Sequence, residues 1–217
     1  MSANRIVAGD TIDVLARIAD PDVDLAIWHR PAPALVEGWL AQAPPAQLPH
    51  GRVLVRRSAL DDALAAVFAE SSVPASLATR RLADDIAMLT RAFAVLACTD
   101  EVDVRLETVT DDGCWKFHRD YVTIRLLASY LGPGTQWVAA ADAEAALLRQ
   151  RDFGGPVGQL PRFAAGVFRG ARGAPDTGMV HRSPPIAGSG TMRLLLALSP
   201  PSAASPQPWR PGVPATA

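Results

Sequence analysis

The sequence predicts an α+β fold whose core is a double-stranded β-helix, or jelly roll, braced by helices near the N-terminus. Two observations lead to this class. Much of the first hundred residues has apolar residues at helical spacing, whereas a period of two begins at Val102 and short apolar stretches separated by glycine turns follow it. Short antiparallel strands joined by such turns are typical of a jelly roll.

Length and composition favour one domain. The chain has 217 residues, of which 49% are hydrophobic and 20% are charged, enough to bury one sizeable core. We expect a single domain over 1–199, with 1–100 mostly helical and 101–199 forming the jelly roll that carries the site. After Pro200 the chain reads SAASPQPWRPGVPATA, a composition that does not support a packed core. We therefore expect 200–217 to be a disordered tail.

Local patterns predict the individual elements. In the N-terminal half we expect a helical segment from Ile6 to Ile18, a buried strand at 24–29, a helix capped by Ser58 that runs to about Glu70, and a second helix opened by Pro74. The apolar face of that second helix contains Leu77, Leu82, Ile86, Leu89 and Phe93. Alternation from Val102 to Thr108 predicts a strand with one solvent-facing side. Further strands are expected at about 121–130, 163–168, 179–183 and 191–198.

Charge and cysteine content exclude several classes of partner. The formal net charge of -1 provides no global attraction to nucleic acid or to an anionic membrane surface. No stretch approaches the roughly 20 apolar residues of a membrane span, and no signal-peptide pattern is present, so we expect a cytoplasmic protein. Cys98 and Cys114 are too few for a disulfide framework. Cys114 is interpreted as a buried thiol, with a redox or ligand role as the alternative. No feature predicts the oligomeric state.

Three residues with metal-ligand chemistry stand at suggestive spacing. His118 and Asp120 lie two residues apart, so on extended backbone their side chains point to the same side. His181 follows about 60 residues later and would arrive from an opposing strand of the barrel. Two imidazoles and one carboxylate hold a divalent iron on one face and leave the other face open. The pattern predicts a metal site, although a histidine by itself is commonly structural.

Arginines near these residues are candidates for anion binding. Arg193 is followed by three leucines in the last predicted strand, and a buried guanidinium without a carboxylate partner is costly, so it needs an anion. An internal ion pair is the alternative. Arg125 shares a strand face with Thr123 and Leu127, and either a place in the barrel or a structural salt bridge fits it. Three more arginines flank the predicted rim and would suit an acidic substrate, or are simply solvated: Arg169, Arg172 and Arg182.

The ordered residues also resemble a known family. His118, Asp120, Arg125, Tyr130, Gly134 with Thr135, His181 and Arg193 resemble, over roughly 105–198, the iron(II)- and 2-oxoglutarate-dependent dioxygenases of the prolyl 4-hydroxylase-like branch. The resemblance implies that His118, Asp120 and His181 bind Fe(II). It also implies that Arg193 pairs with the distal carboxylate of 2-oxoglutarate and that Tyr130 is its hydroxyl partner, with Arg125 as a further cofactor-binding candidate. Two departures are a long gap between His181 and Arg193 and a leucine at 195, where many relatives have a serine.

Five short sequence segments carry a closer resemblance. DLAIWHRP, FHRD, RLLASYLGPGTQW, HRSPP and RLLL resemble the bacterial domain-of-unknown-function family 1826, which is loosely associated with zinc homeostasis.

The sequence thus predicts an Fe(II)- and 2-oxoglutarate-dependent oxygenase acting on a small molecule or a protein side chain. The alternative is a non-redox, cupin-like metal-binding protein that holds zinc or another divalent ion in metal homeostasis. A third interpretation, an inactive barrel used for partner binding, is disfavoured because all three ligands are present.

Overall fold

The computed structural model describes residues 5–172 and 177–212. Its strands are β1 (Arg5–Gly9), β2 (Val23–Trp28), β3 (Gly51–Arg56), β4 (Glu101–Val109), β5 (Ile124–Leu131), β6 (Gln136–Trp137), β7 (Gly158–Gln159), β8 (Ala165–Arg169), β9 (His181–Arg182) and β10 (Arg193–Ser199). Its α-helices are α1 (Ala34–Leu40), α2 (Leu60–Glu70), α3 (Leu77–Leu96) and α4 (Ala143–Arg149). Together these elements give the α+β class that the sequence predicts.

The strands form two sheets of unequal size. The large sheet has seven strands in the order β1-β2-β8-β5-β10-β4-β3, and the small sheet has three in the order β7-β6-β9. Neighbours in the large sheet are antiparallel except for β1 and β2, which run parallel. An antiparallel sheet can pack one face against a hydrophobic core while its other face lies in a different environment.

One face of the large sheet packs against the helices. Leu126 of β5 and Leu196 of β10 point to this side and share a core with Ile86, Leu89 and Phe93 of α3, all of them buried. Burying an apolar side chain of this size contributes about 1.5–3 kcal/mol. The helical layer therefore fixes the large sheet and leaves its opposite face free for the site.

The opposite face packs against the small sheet. Residues one position along on the same strands, Leu127 and Leu195, point to this side and join Phe168, Leu160 and Met179 in a second core. The period of two along each strand thus divides one sheet between two cores. The predicted metal ligands lie in the space between the two sheets.

The N-terminal half is less helical than predicted. Its strands β1 and β2 form one edge of the large sheet and β3 forms the other edge. In place of a helix from Ile6 to Ile18, the chain forms β1 and then a 3₁₀ helix at Ile12–Ala19, whereas the strand predicted at 24–29 is confirmed. In such short apolar runs, the spacing of the apolar residues does not distinguish a strand from a helical turn. Whether the run becomes a strand depends on whether a neighbouring strand of the sheet pairs with it.

The two long helices are confirmed, but their capping differs from the prediction. At the start of α3, Ser76 Oγ accepts from Thr79 N–H at 3.1 Å and Thr79 Oγ1 accepts from Ser76 N–H at 3.0 Å, a reciprocal capping box. The residue before α2 is Ala59, which offers no side-chain cap, so the cap predicted at Ser58 is wrong. The strands predicted from Val102 onwards are found as β4, β5, β8, β9 and β10.

The described part of the tail is docked. The backbone N–H of Trp209 donates to Leu54 O on the edge strand β3 at 2.7 Å, and the hydroxyl of Ser205 donates to Asp103 at 2.6 Å. The Trp209 ring packs against the helix-side core. The prediction of a disordered tail is therefore wrong for 200–212, because an edge strand offers backbone partners that composition does not reveal. The remainder, 213–217, lies outside the described residues.

Within the two described stretches of the chain, none of the helices combines the length and the apolar character that crossing a membrane requires.

Candidate metal centre

The backbone brings the two predicted histidine ligands side by side. His118 lies in the segment between β4 and β5, and His181 begins β9. The two residues form an isolated antiparallel bridge in which each backbone N–H donates to the other's carbonyl at 3.0 Å. Their rings are 4.6 Å apart between centroids. Residues 63 positions apart in sequence are thus fixed as neighbours by main-chain hydrogen bonds.

Asp120 is held by the end of β8. Its carbonyl accepts from Ala171 N–H at 2.8 Å, and the carbonyl of Val122 accepts from Arg172 N–H at 3.2 Å. Gly170 permits this approach, because a Cβ there would lie 2.0 Å from the carbonyl oxygen of Val122. Every other side chain would therefore force the segment away from β8, and Asp120 with it.

The three predicted ligands converge on one point. Ligand atoms of His118, Asp120 and His181 all lie within 4.8 Å of one another. This is the scale set by bonds of about 2.0–2.2 Å from nitrogen and oxygen ligands to one ion. The side chains of Asp120 and His181 are only 7% and 4% exposed, whereas that of His118 is 37% exposed. The site therefore has one open side.

Hydrogen bonding sets the orientation of both imidazoles. Nδ1 of His118 lies 2.8 Å from the carbonyl of Lys116, and Nδ1 of His181 lies 2.9 Å from the carbonyl of Met179. A carbonyl only accepts hydrogen bonds, so each Nδ1 carries the proton and each neutral ring keeps its lone pair on Nε2. Backbone carbonyls commonly fix metal-binding histidines in this way. Both Nε2 atoms are thereby available to an ion.

Asp120 is kept ionised beside these nitrogens. Burial by itself raises the pKa of the Asp120 carboxyl, but the neighbouring side chains of His181, Arg125 and His118 outweigh it and lower the pKa to about 2. For His118, burial first and then the proximity of His181 lower the pKa, which favours the neutral, ligating ring. Oδ2 of Asp120 is buried and has no hydrogen-bond donor among the described residues. A divalent cation would satisfy this oxygen.

Arg125 contacts a predicted ligand directly. Its Nη1 donates to Oδ1 of Asp120 at 2.5 Å and its Nε donates to the hydroxyl of Ser199 at 3.0 Å. It also lines the cavity beside the triad. Arg125 thus lines the cavity between the two sheets and also forms the salt bridge that the sequence offered as the alternative.

Arg193 is fully buried on the site side of β10. Its guanidinium donates to the carbonyl of Pro133 at 2.7 Å, to Ser183 Oγ at 2.8 Å and to Ser129 Oγ at 3.4 Å. Burial lowers the pKa of Arg193 to about 10, so the group stays charged at neutral pH. Within the described residues no carboxylate forms a salt bridge with it. Its hydrogen-bond partners are therefore all neutral, and the carboxylate of Glu107 acts on its charge only from a distance, which leaves room for an anionic ligand.

Tyr130 does not contribute to this site. It points to the helix side of β5, is 1% exposed, and donates its hydroxyl hydrogen to Oδ2 of Asp85 at 2.6 Å. Asp85 in turn pairs with the buried Arg30. The expectation that Tyr130 binds a co-substrate is wrong, because an even-numbered residue of β5 faces the core while Arg125 and Leu127 line the cavity.

The cavity at the triad has a volume of about 70 Å³. Residues lining it besides His118, His181 and Arg125 are Arg105, Glu107, Val109, Gly113, Cys114, Leu127, Thr135, Arg182, Ser183, Leu195 and Ala197. Arg105 and Glu107 lie on the side of β4 that the sequence predicts to face solvent; Arg105 is exposed there, and both residues also line the cavity. Alternation identified their shared face but not what lies opposite it. Cys114 lines the cavity as well, and it is exposed, not buried.

The predicted rim arginines have different roles. Arg169 donates to the carbonyls of Val23, Ile18 and Asp20, so it joins the N-terminal segment to β8 instead of facing a substrate. Arg182 lies 4.1 Å from the ring of Phe117 and donates to Gln136. Arg172 is exposed. The expectation of an acidic-substrate rim is therefore wrong for Arg169.

Comparison with protein families identifies the chain. Residues 9–199 match the family described as Protein of unknown function (DUF1826). This chain belongs to the DUF1826 family. Apart from most of β1, the match covers both sheets, all four helices and the triad of this DUF1826 protein. No curated protein matches its sequence.

Solved structures with a similar arrangement include oxygenases. A dioxygenase for auxin oxidation from rice is 13% identical, with a TM-score of 0.47, over 94% of this chain and 86% of that chain. A prolyl-4-hydroxylase from Pseudomonas putida is 14% identical, with a TM-score of 0.34, over 78% and 94%. The non-heme monooxygenase ThoJ is 12% identical, with a TM-score of 0.31, over 76% of each chain.

Proposed function

We propose that this DUF1826 protein is an Fe(II)- and 2-oxoglutarate-dependent oxygenase whose two sheets are the halves of a double-stranded β-helix. The observation that carries the proposal is the convergence of two Nε2 lone pairs and the orphaned Oδ2 of Asp120 in a buried site with one open side. Two histidines and one carboxylate on one face of an ion are typical of non-haem iron oxygenases. The substrate is either a small molecule or a protein side chain.

His118, His181 and Asp120 would hold the ion through Nε2, Nε2 and Oδ2. Iron(II) bound there supplies oxygen activation coupled to the oxidative decarboxylation of 2-oxoglutarate. The carbonyls of Lys116 and Met179 keep both rings oriented for this task. Apolar side chains on one wall of the cavity exclude water: Val109, Leu127, Leu195 and Ala197.

Arg193 supplies the charge for the far carboxylate of an oxoacid. Nη1 of Arg193 donates to the hydroxyl of Ser183, and Ser183 lines the cavity. The guanidinium therefore lies directly behind the cavity wall. An incoming carboxylate would replace this neutral acceptor with a charged one, and arginine binds carboxylates with two parallel hydrogen bonds. Because the guanidinium is buried, the pairing would be little screened by water.

A non-redox metal-binding protein is the second candidate, and the enclosure of Arg193 favours it. Three protein oxygens already accept from the guanidinium. Ser183 contacts Arg193 and lines the cavity, but Arg193 itself is not among the described residues that line it. On this alternative the triad holds zinc or another divalent ion, and no oxoacid binds.

One experiment separates the two functions. The protein is purified without affinity metal, its native metal is determined by elemental analysis, and oxygen consumption is measured with and without 2-oxoglutarate. The oxygenase predicts iron and an oxygen uptake that requires 2-oxoglutarate and disappears in His181→Ala. Stoichiometric zinc, together with no turnover of 2-oxoglutarate after reconstitution with iron(II), would establish the non-redox alternative.

A further inference from the structure

The two oxygens of Asp120 have different environments. Oδ1 accepts from Arg125 Nη1 at 2.5 Å, whereas Oδ2 is buried, lacks a donor among the described residues and lies 3.2 Å from His181 Nε2. A carboxylate with both oxygens free can bind an ion through either or both of them. Here one oxygen is occupied by the protein and the other is directed at the ligand cluster.

We propose that Arg125 is a positioning residue that restricts Asp120 to one metal-binding oxygen. This inference rests on the metal site of the proposed function and assigns Arg125 a role toward the metal, where the sequence suggested co-substrate binding. The residue touches a metal ligand and not the ion, so its effect passes through the orientation and the charge of Asp120. Restricting the carboxylate in this way leaves one more position on the ion for exogenous ligands.

Arg125 is itself anchored. Its Nε donates to the hydroxyl of Ser199 on β10 at 3.0 Å, so the planar guanidinium is held at two points. β10 and β5 are paired through five residue partners from Leu194 to Leu198, which fixes the position of Ser199 relative to Arg125. A lysine would keep the charge but would not hold both Asp120 and Ser199 in this planar arrangement.

Arg125 could affect metal affinity by orienting Asp120 or by the repulsion between its charge and the cation, and these two effects have opposite signs. If Arg125 acts by orienting Asp120, its removal weakens metal binding, and partners of metal ligands typically contribute about 10–100-fold to affinity. If its positive charge merely repels the cation, its removal strengthens binding. The sign of the change in affinity therefore tests the role directly, with no need for catalytic turnover.

The experiment titrates Co(II) into wild type, Arg125→Met, Arg125→Lys and Ser199→Ala while recording the visible spectrum. We expect Arg125→Met to bind Co(II) about 10–100-fold more weakly. Its d–d bands should also lose intensity, because a carboxylate that binds through both oxygens raises the coordination number. Arg125→Lys and Ser199→Ala should show the same changes to a smaller degree. A purely structural role would lower the melting temperature without altering the spectrum of the bound ion.

Arg105→Met is the matched control. Arg105 lines the same cavity but pairs with Glu107 at 2.6 Å instead of with a triad residue, so the affinity for Co(II) should not change. Unchanged or tighter binding in Arg125→Met, or an equal loss in Arg105→Met, would overturn the inference. If Arg125→Met does not fold, the other two variants decide, and wild-type affinity and spectrum in both would overturn it. If the wild type binds no Co(II), the proposed function fails as well.

Discussion

His181 and Asp120 face each other in the buried half of the site, with Nε2 of the imidazole 3.2 Å from Oδ2 of the carboxylate. Because the Nδ1 proton of His181 is directed at Met179 O, the neutral ring presents a lone pair to a carboxylate oxygen that also carries lone pairs. Only a proton or a cation between them makes this contact favourable. The pair therefore defines where a metal would bind.

Removing any one ligand should remove the metal. His118→Ala, Asp120→Ala and His181→Ala are each expected to lose stoichiometric metal, because two remaining ligands do not hold a divalent ion in a three-ligand site. Elemental analysis after gel filtration measures the metal content, and circular dichroism verifies the fold. His50→Ala is the control, since His50 is exposed and lies outside the triad. Full metal content in any two of the three variants would contradict the site.

Arg193 should separate metal binding from oxoacid binding. Arg193→Leu is expected to retain the metal and to weaken 2-oxoglutarate binding by about 2–5 kcal/mol, the cost of removing one partner from a buried charge pair. Calorimetric titration into anaerobic, iron-loaded protein measures this loss, with the exposed Arg56→Leu as the control. An affinity that merely follows the folded fraction would assign Arg193 a structural role. No binding to the wild type would contradict the oxygenase proposal.

Tyr130 should matter for stability and not for ligands. Burial first, and then the charge of Asp85, raises the pKa of Tyr130, so its hydroxyl stays protonated and donates to that carboxylate. Tyr130→Phe removes a hydrogen bond to a charged group and should lower the free energy of unfolding by about 1.5–3 kcal/mol. Urea denaturation measures the loss. A drop in 2-oxoglutarate affinity at unchanged folded fraction would restore the co-substrate role that the resemblance implied.

The docked tail should contribute to stability. Truncation after Ser199 removes the Trp209 ring and its backbone bond to Leu54. Trp209→Ala by itself should lower the free energy of unfolding by about 1–3 kcal/mol, in line with the burial of a partly covered aromatic side chain. Denaturant titration compares both with truncation after Gly212, which keeps every tail contact named here. Equal stability of the two truncated proteins would show that 200–212 is dispensable.

Asp112 should make part of the stability depend on pH. Hydrogen bonds lower the pKa of the Asp112 carboxyl from its ordinary 3.8, because together they outweigh desolvation, which raises it. The backbone N–H of Ala187 has the largest effect, followed by the backbone N–H of Ile186 and the guanidinium of Arg151. A carboxyl with a lowered folded-state pKa contributes stability above its unfolded pKa, and this is lost as pH falls through the folded value. The difference in melting temperature between wild type and Asp112→Asn should therefore be largest near neutral pH and shrink below about pH 4. A difference that is independent of pH would contradict the role of this charge.

Strand parity explains why two residues predicted together separate in space. Arg125 and Tyr130 lie on the same strand, β5, and the resemblance linked both to a cofactor. They are five positions apart, an odd number, so they point to opposite faces of the sheet. The alternation was readable in the sequence. Which face would be covered by helices and which by the small sheet was not, because that depends on where α3 and β9 pack.

The sequence by itself determined which side chains can bind a metal in this protein and where the spacing of apolar residues favours a helix or a strand. The ligand types, the His118 and Asp120 spacing, the long helices and the later strands follow from side-chain identity and from contacts between residues close in the chain. Only the tertiary structure decided that His181 would lie beside His118, that β3 would form an edge closed by Trp209, and that Arg193 would be enclosed by Ser129, Ser183 and Pro133. These relationships join residues far apart in the chain, whereas secondary-structure propensities reflect only interactions between residues that are close in the chain.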